Sequence, residues 1–271
     1  MPAPARPPLR GMPGVLWVSL GLHALSLAAF LARPGRWRGP AAAVALNHAF
    51  LMLAAFRPRS RLLGPNPTRL PDAAARRGEI GLTFDDGPHP DITPRVLDIL
   101  DAFSSTASFF CVGERARRHP DLTRAICRRG HSVENHTESH RYDLALRGPA
   151  AMRRDIRKAD HTLLGVTGTK PRFFRAPAGI RSPLLDPVLA REDLIHVSWT
   201  RRGFDWADGS PERVVRRLLR GLRPGDILVL HDGASARAAD GRPVVLAVLP
   251  ELLAALRDRG LRAVSLPAAF A

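Results

Sequence analysis

A parallel α/β fold behind an apolar helical hairpin is what the 271-residue sequence predicts. Three observations carry that reading. Beyond residue 78, short runs rich in Val, Ile, Leu and Phe alternate with segments whose apolar residues recur at three- and four-residue spacing, the periods of strand and amphipathic helix. Such alternation builds a parallel sheet with crossover helices, either a barrel or a doubly wound sheet. The conspicuous polar residues Asp85, Asp86, His136, His140, Arg175, Asp205 and His231 all follow or end strand-like runs, where the loops of a parallel sheet converge on one mouth. Finally, two nearly charge-free runs precede the alternating region.

The first of these, residues 15–32, reads VLWVSLGLHALSLAAFLA, and the second, residues 41–56, reads AAAVALNHAFLMLAAF. A bilayer-spanning helix needs roughly 17–25 apolar residues, so the first run qualifies, while the second is short and carries Asn47 and His48. Residues 1–57 are therefore expected to form a membrane-associated helical hairpin. A cleaved signal peptide, with Arg6 and Arg10 as its basic start, would explain only the first run, and no small-x-small cleavage site follows it. An amphipathic pair lying in the membrane interface is the other alternative. Arginines flank every end, with a slight excess outside the turn that leans toward cytoplasmic termini. The Pro- and Gly-containing residues 58–78 are expected to be a linker, and residues 79–271 the soluble domain.

Within that domain the expected strands are EIGLTF, ASFFCV, HSVENH, RFF, LIHVSW, DILVLH and LRAVSL, in that order. Between them lie the expected helices TPRVLDILDAF, GERARRHPDLTRAICRR, AAMRRDIRKADHTLLGV, PLLDPVLARE, PERVVRRLLRGL and VVLAVLPELLAALRDR. An apolar fraction of 45% supplies a core and excludes a disordered chain. The net charge of +16 comes almost wholly from arginine, because Lys158 and Lys170 are the only lysines. The arginines are scattered in pairs on helix faces with little aromatic interleaving and no reader motif, so nucleic acid is not an expected partner. Solvated helix faces explain the charge first, and an anionic membrane surface second. Cys111 and Cys127 stand outside any paired-cysteine metal motif and are read as free thiols.

HTESH places His136 and His140 four residues apart, so on one helical turn both imidazoles would project from the same face and grip one ion. Thr137 occupies the place where a zincin carries Glu, so metalloprotease chemistry is not supported. Two histidines and Asp86 make a three-ligand set with an open position for water, the layout of a catalytic metal site. Asp85 can then stay off the ion as general base, because a Lewis-acidic ion lowers the pKa of water from 15.7 toward about 7. The repulsion between adjacent carboxylates is relieved by the dication on one side and Arg175 on the other. His231, at a strand end, is read as a general acid for a leaving amine, with Asp205 holding its ring. Trp206 and Leu230 are the expected apolar wall for a small acyl group.

Taken in order, TFDDGP, HTESH, RAPAG, FDW and LVLHDG resemble the five motifs of the polysaccharide deacetylases, the NodB-type carbohydrate esterases, from about Glu79 to the end of the chain. The resemblance implies a distorted (β/α) barrel and metal-dependent hydrolysis of an N-acyl group, acetyl or formyl, on an amino sugar. It implies Asp85 as base, Asp86, His136 and His140 as ligands of one divalent ion, Arg175 as the residue orienting the base, and His231 as acid. Zinc is the usual metal, with cobalt, nickel or manganese accepted by related enzymes. RAPAG departs from the usual Arg-Pro-Pro-Tyr/Phe-Gly: Pro177 and Ala178 border the expected substrate, the aromatic is missing at Ala178, and its backbone N–H still suits an oxyanion. Arg201 and Arg202 add charge near the mouth. An acylated amino-sugar glycan at a bacterial inner membrane surface is the expected partner, with a lipid-linked amino sugar as the main alternative, since related enzymes act on lipid-linked aminoarabinose carriers. The alternative of another class is a catalytically silent glycan-binding module. Nothing in the sequence sets the oligomeric state.

Overall fold

The structure, a computed structural model, describes residues 12–271. Arg6 and Arg10, read as the basic flank of the first apolar run, lie outside the described residues. Helices α1 (Gly14–Ala32) and α2 (Arg38–Ala55) are joined by a single 3-10 turn at Pro34–Arg36. They pack as a hairpin in which Asn47 Nδ2 donates to Ser19 Oγ at 2.8 Å, and the rings of His23 and His48 meet edge to face at 5.1 Å. Most of its large apolar side chains, among them Trp17, Leu25, Leu31 and Leu46, are exposed. Among the described residues α1 alone is long and apolar enough to cross a membrane. Helix α2 includes Arg38, Asn47 and His48 within its 18 residues.

The elements that follow are α3 (Asp72–Arg76), β1 (Glu79–Gly87), α4 (Thr93–Ala102), β2 (Ser108–Cys111), α5 (Gly113–Arg118), α6 (Pro120–Arg128) and β3 (Ser132–Asn135). Next come α7 (Pro149–Thr167), β4 (Phe173–Phe174), α8 (Leu185–Arg191), β5 (Ile195–His196), β6 (Arg201–Arg202), α9 (Pro211–Leu219), β7 (Ile227–His231), α10 (Val244–Asp258), β8 (Arg262–Val264) and α11 (Leu266–Ala269). All seven expected strands are present in their expected places. The single helix expected over GERARRHPDLTRAICRR is two, α5 and α6, because Pro120 disfavours helical backbone at His119 and begins a new helix itself. The short strand β6 was not expected: two arginines carry no apolar strand signal.

Every strand pairing is parallel, in the order β5-β4-β3-β2-β1-β7-β6, with β8 alongside the first residues of β1. The sheet is curled into a half-barrel with helices around it, and among the described residues no ladder joins β5 to β6. Strand alternation sorts the side chains. Ile80, Leu82 and Phe84 of β1 and Leu228 and Leu230 of β7 join the large core beneath α4, α9 and α10. Thr83 and Asp85, like Val229 and His231, belong to the opposite face, which is the interior of the half-barrel.

Residues 58–71 are packed against the domain. Arg181, fully buried, donates to the carbonyls of Ser60 (2.9 Å) and Leu63 (3.1 Å), and its backbone N–H donates to Ala55 O at the end of α2. Asn66 donates to Pro58 O and Ser60 O and meets the ring of buried His196. Leu63 is buried with the foot of the hairpin, while Leu70 and Ala74 enter the core inside the half-barrel.

Candidate active site

Strand β1 runs to Gly87, so Asp85 and Asp86 lie within its last three residues rather than at the start of the following loop. At Asp86 the backbone turns to φ 69, and the β1–β2 register is interrupted between Asp85 and Gly87. That bulge re-aims consecutive side chains, so the two adjacent acids meet different partners. Arg115 Nη1 donates to Asp86 O and Gly233 O, clamping the turn. Gly233 must be glycine, since a Cβ there would run into the Asp86 carbonyl.

Asp85 Oδ1 accepts from Arg175 Nη1 at 2.6 Å. Arg175 is fully buried, stacked over Phe110 at 4.1 Å, and also donates to Thr83 Oγ1 (2.8 Å) and Val197 O (3.3 Å). Its acceptors fix it rigidly, so the paired Asp85 oxygen is fixed too.

Asp86 Oδ1 lies 3.1 Å from His136 Nε2 and 2.8 Å from His140 Nε2. The two rings are 4.9 Å apart, but not on a helical turn as the spacing suggested. β3 stops at Asn135 and residues 136–140 form a loop, with Thr137 and His140 at positive φ (67 and 49). A network the sequence reading missed imposes this shape. Asn135 Oδ1 accepts from Thr137 N–H (2.8 Å), Thr137 Oγ1 from His140 N–H (2.9 Å), and Asp155 of α7 from Glu138 N–H and Ser139 Oγ–H.

His136 Nδ1 donates to Arg175 O at 2.8 Å, so an ion held beside Asp86 would meet the lone pair of Nε2, whereas without an ion a proton on Nε2 makes the hydrogen bond to Asp86. One oxygen and two imidazole nitrogens within 4.8 Å of one another fit a divalent ion of the zinc type in number, kind and orientation. Burial alone would raise the Asp86 pKa, but the hydrogen bonds and charges of the two histidines overcome it and hold the carboxyl well below the usual carboxylate range.

His231 sits beside Asp85 across the β1–β7 ladder. Its Nδ1 donates to Asp205 Oδ1 (2.9 Å) and its backbone N–H to Asp205 Oδ2 (2.7 Å). Burial pulls the imidazolium down, yet the charge and hydrogen bond of Asp205, with Asp85 and Asp86 behind it, prevail and push His231 up to about 9. It is thus protonated at neutral pH, with Nε2–H free to donate. Behind it, buried Asp232 accepts from Thr93 Oγ1, and burial lifts its pKa to about 7.

These groups share one cleft of about 170 Å³. Ala178, at φ 54, and half-exposed Trp206 line it as expected. Leu230 does not: it faces the outer core, and Val229, two residues before His231 on the same face, takes its place on the wall. Pro177 is buried behind Ala178 and is not on the cleft surface. Tyr142 and Trp199 also line the cleft and were not expected to, while of the two arginines expected near the mouth Arg202 is on the lining and Arg201 is not. Asp205 and Arg175, both wholly buried, support the site from beneath.

A family model for polysaccharide deacetylases matches residues 72–193. A chitooligosaccharide deacetylase of Sinorhizobium fredii is 35% identical over 204 residues, 73% of this chain and 94% of that protein. The chain belongs to the polysaccharide deacetylase family. A peptidoglycan-N-acetylglucosamine deacetylase of Bacillus cereus is 32% identical, covering 69% of this chain and 85% of that protein. Among solved structures, a family 4 carbohydrate esterase from Streptomyces lividans, in complex with acetate, superposes with a TM-score of 0.62 at 31% identity, over 69% of this chain and 91% of that one. As a member of this deacetylase family the chain is a hydrolase of amide carbon–nitrogen bonds on carbohydrates.

Proposed function

We propose that this protein is a metal-dependent hydrolase that removes an N-acyl group, acetyl or formyl, from an amino sugar of a glycan. The observation that carries the reading is the convergence, in one cleft, of an Arg-fixed carboxylate, a His-His-Asp donor set and a protonated histidine. Asp86, His136 and His140 would hold the ion, zinc first by ligand type, which would supply Lewis acidity to the acyl carbonyl and to a water molecule. Asp85, held by Arg175, takes the proton of the attacking water. The Ala178 backbone N–H is the candidate donor to the developing oxyanion. His231, kept charged by Asp205, gives its Nε2 proton to the departing nitrogen, so one water and one amide yield one amine and one carboxylate. The relatives that act on chitooligosaccharides and peptidoglycan support N-acetylglucosamine chains as the substrate class.

One observation favours a second reading, a lipid-linked amino sugar at a membrane surface. Pro58, directly after the apolar hairpin, packs against Gly179 on the wall of the cleft, so an inserted hairpin would hold the cleft close to the bilayer. Zinc-loaded protein should release acetate from N-acetylglucosamine oligomers, or acetate or formate from a lipid-linked N-acylated amino sugar, and Asp85→Asn should abolish it. Release that survives Asp85→Asn would sink the assigned base. The absence of release from every acylated amine would favour a glycan-binding module.

A further inference from the structure

Arg201 and Arg202 are neighbours with opposite surroundings. Successive residues of a strand face opposite ways, and on β6 Arg201 turns from the cleft while Arg202, level with Val229, turns in. Arg201 has its donors occupied by Asp226 Oδ2 (3.2 Å), Arg220 O (2.6 Å) and Gly221 O. Arg202 lies over the rings of Trp199, Phe204 and Trp206, at 5.2, 5.1 and 5.5 Å from their centroids. The rings surround the guanidinium within cation–π range, but carry no acceptor for its in-plane hydrogens. Among the described residues its side chain has no ion pair, and Nε is buried without a hydrogen-bond partner.

The nearby acids do not fill that gap. Asp85 is paired with Arg175, Asp205 with His231, and Asp86 with two imidazoles. Against the three carboxylates stand Arg175, His231 and Arg202 itself, so a dication held by Asp86, His136 and His140 would leave the cleft net positive. A guanidinium caged by aromatics, with a buried Nε that lacks an acceptor and facing a cleft of that sign, suits a planar or tetrahedral oxyanion. Ala178, with only a methyl group, leaves space on the same wall.

Resting on the proposed function, we infer that Arg202 is a specificity-determining residue: it binds an oxyanionic substituent, a carboxylate or a phosphate, on the sugar that carries the scissile N-acyl group or on its immediate neighbour. The test uses the full zinc-loaded chain and three substrates matched in length: a neutral N-acetylglucosamine oligomer, one bearing a carboxylate and one bearing a phosphate. Wild-type protein should show a KM lower by about tenfold or more for at least one charged substrate than for the neutral one, and added salt should narrow the gap. In Arg202→Gln that KM ratio should collapse by about tenfold, and Arg202→Lys should recover part of it. The charged substrate whose advantage is lost identifies the group recognised. A wild-type ratio near one, or a ratio untouched in Arg202→Gln, overturns the inference. If no substrate is hydrolysed, the proposed function fails on its own account, and calorimetric binding of the same oligomers decides on Arg202. Tighter binding of a charged oligomer to wild type than to Arg202→Gln supports its role, and equal binding overturns it.

Discussion

Replacing Asp205 with Asn keeps the shape of the side chain beneath the cleft and removes the charge that holds the proton on His231. His231 is 6% exposed, and burial alone would favour its neutral form, but Asp205 provides the largest opposing contribution and the ring ends at about 9. Against an ordinary value near 6.5, a displacement of that size corresponds to about 3 kcal/mol at 1.36 kcal/mol per unit. Neutralising Asp205 removes most of it, leaving the weaker pull of Asp85 and Asp86, so His231 should fall by about two units. A general acid must be protonated, so turnover declines as pH rises through the His231 pKa. The alkaline limb of kcat should lie at or below pH 9 in the wild type, since a bound ion lowers it further, and about two units lower in Asp205→Asn. The variant also loses a hydrogen bond, because an amide cannot accept from both the ring and the backbone N–H that Asp205 now serves. Melting temperature should therefore drop, with a pH signature. The folded pKa is raised, so the stabilisation is complete below about 6.5 and disappears as pH rises through about 9. The melting difference between the two proteins should narrow over that window. Acyl release measured from pH 5 to 10 reads the limb. Activity lowered uniformly, with the limb in its wild-type place, would refute the pairing of His231 and Asp205 as a tuned acid.

His140→Ala leaves two donors of the three-ligand set, and zinc affinity by equilibrium dialysis should weaken by about tenfold or more; unchanged affinity would remove His140 from the set. Arg175→Met strands the buried Asp85 carboxylate without its partner, and urea unfolding should report a loss of about 3–5 kcal/mol. Leu230→Ala should cost about 2–5 kcal/mol of stability through its outer-core cavity, while KM of the folded protein stays at the wild-type value, because the side chain faces away from the cleft. A chain starting at residue 57 should fold, whereas one starting at residue 79 should be insoluble or molten by near-UV circular dichroism, since removing Ser60, Leu63 and Asn66 uncovers Arg181 and His196.

Much of the site was legible because parallel strands deliver chemistry at their ends, and Asp85, Asp86, Arg175 and His231 all stand there. HTESH misled in form though not in content. Spacing of four is equally met by a helix and by a loop with two left-handed residues, and the choice depends on Asn135, Thr137 and Asp155, the last of them on a helix far along the chain. The packing of residues 58–71 was invisible for the same reason: Pro, Gly and Arg read as a linker, and the buried guanidinium of Arg181 that organises them lies over a hundred residues away. Composition likewise treats Arg181 and Arg175 as two more solvated charges. The exchange of Leu230 for Val229 is different, because the signal was present. His231 can act only if it faces the cleft, and strand alternation then puts residue 229 beside it and residue 230 behind it. The same count applied from Val229 across the ladder to β6 turns Arg202 inward and Arg201 outward. A single functional residue of known orientation therefore fixes the facing of a strand and, through parallel register, of the strand paired with it, which is more than hydrophobicity yields for a dipeptide of two arginines.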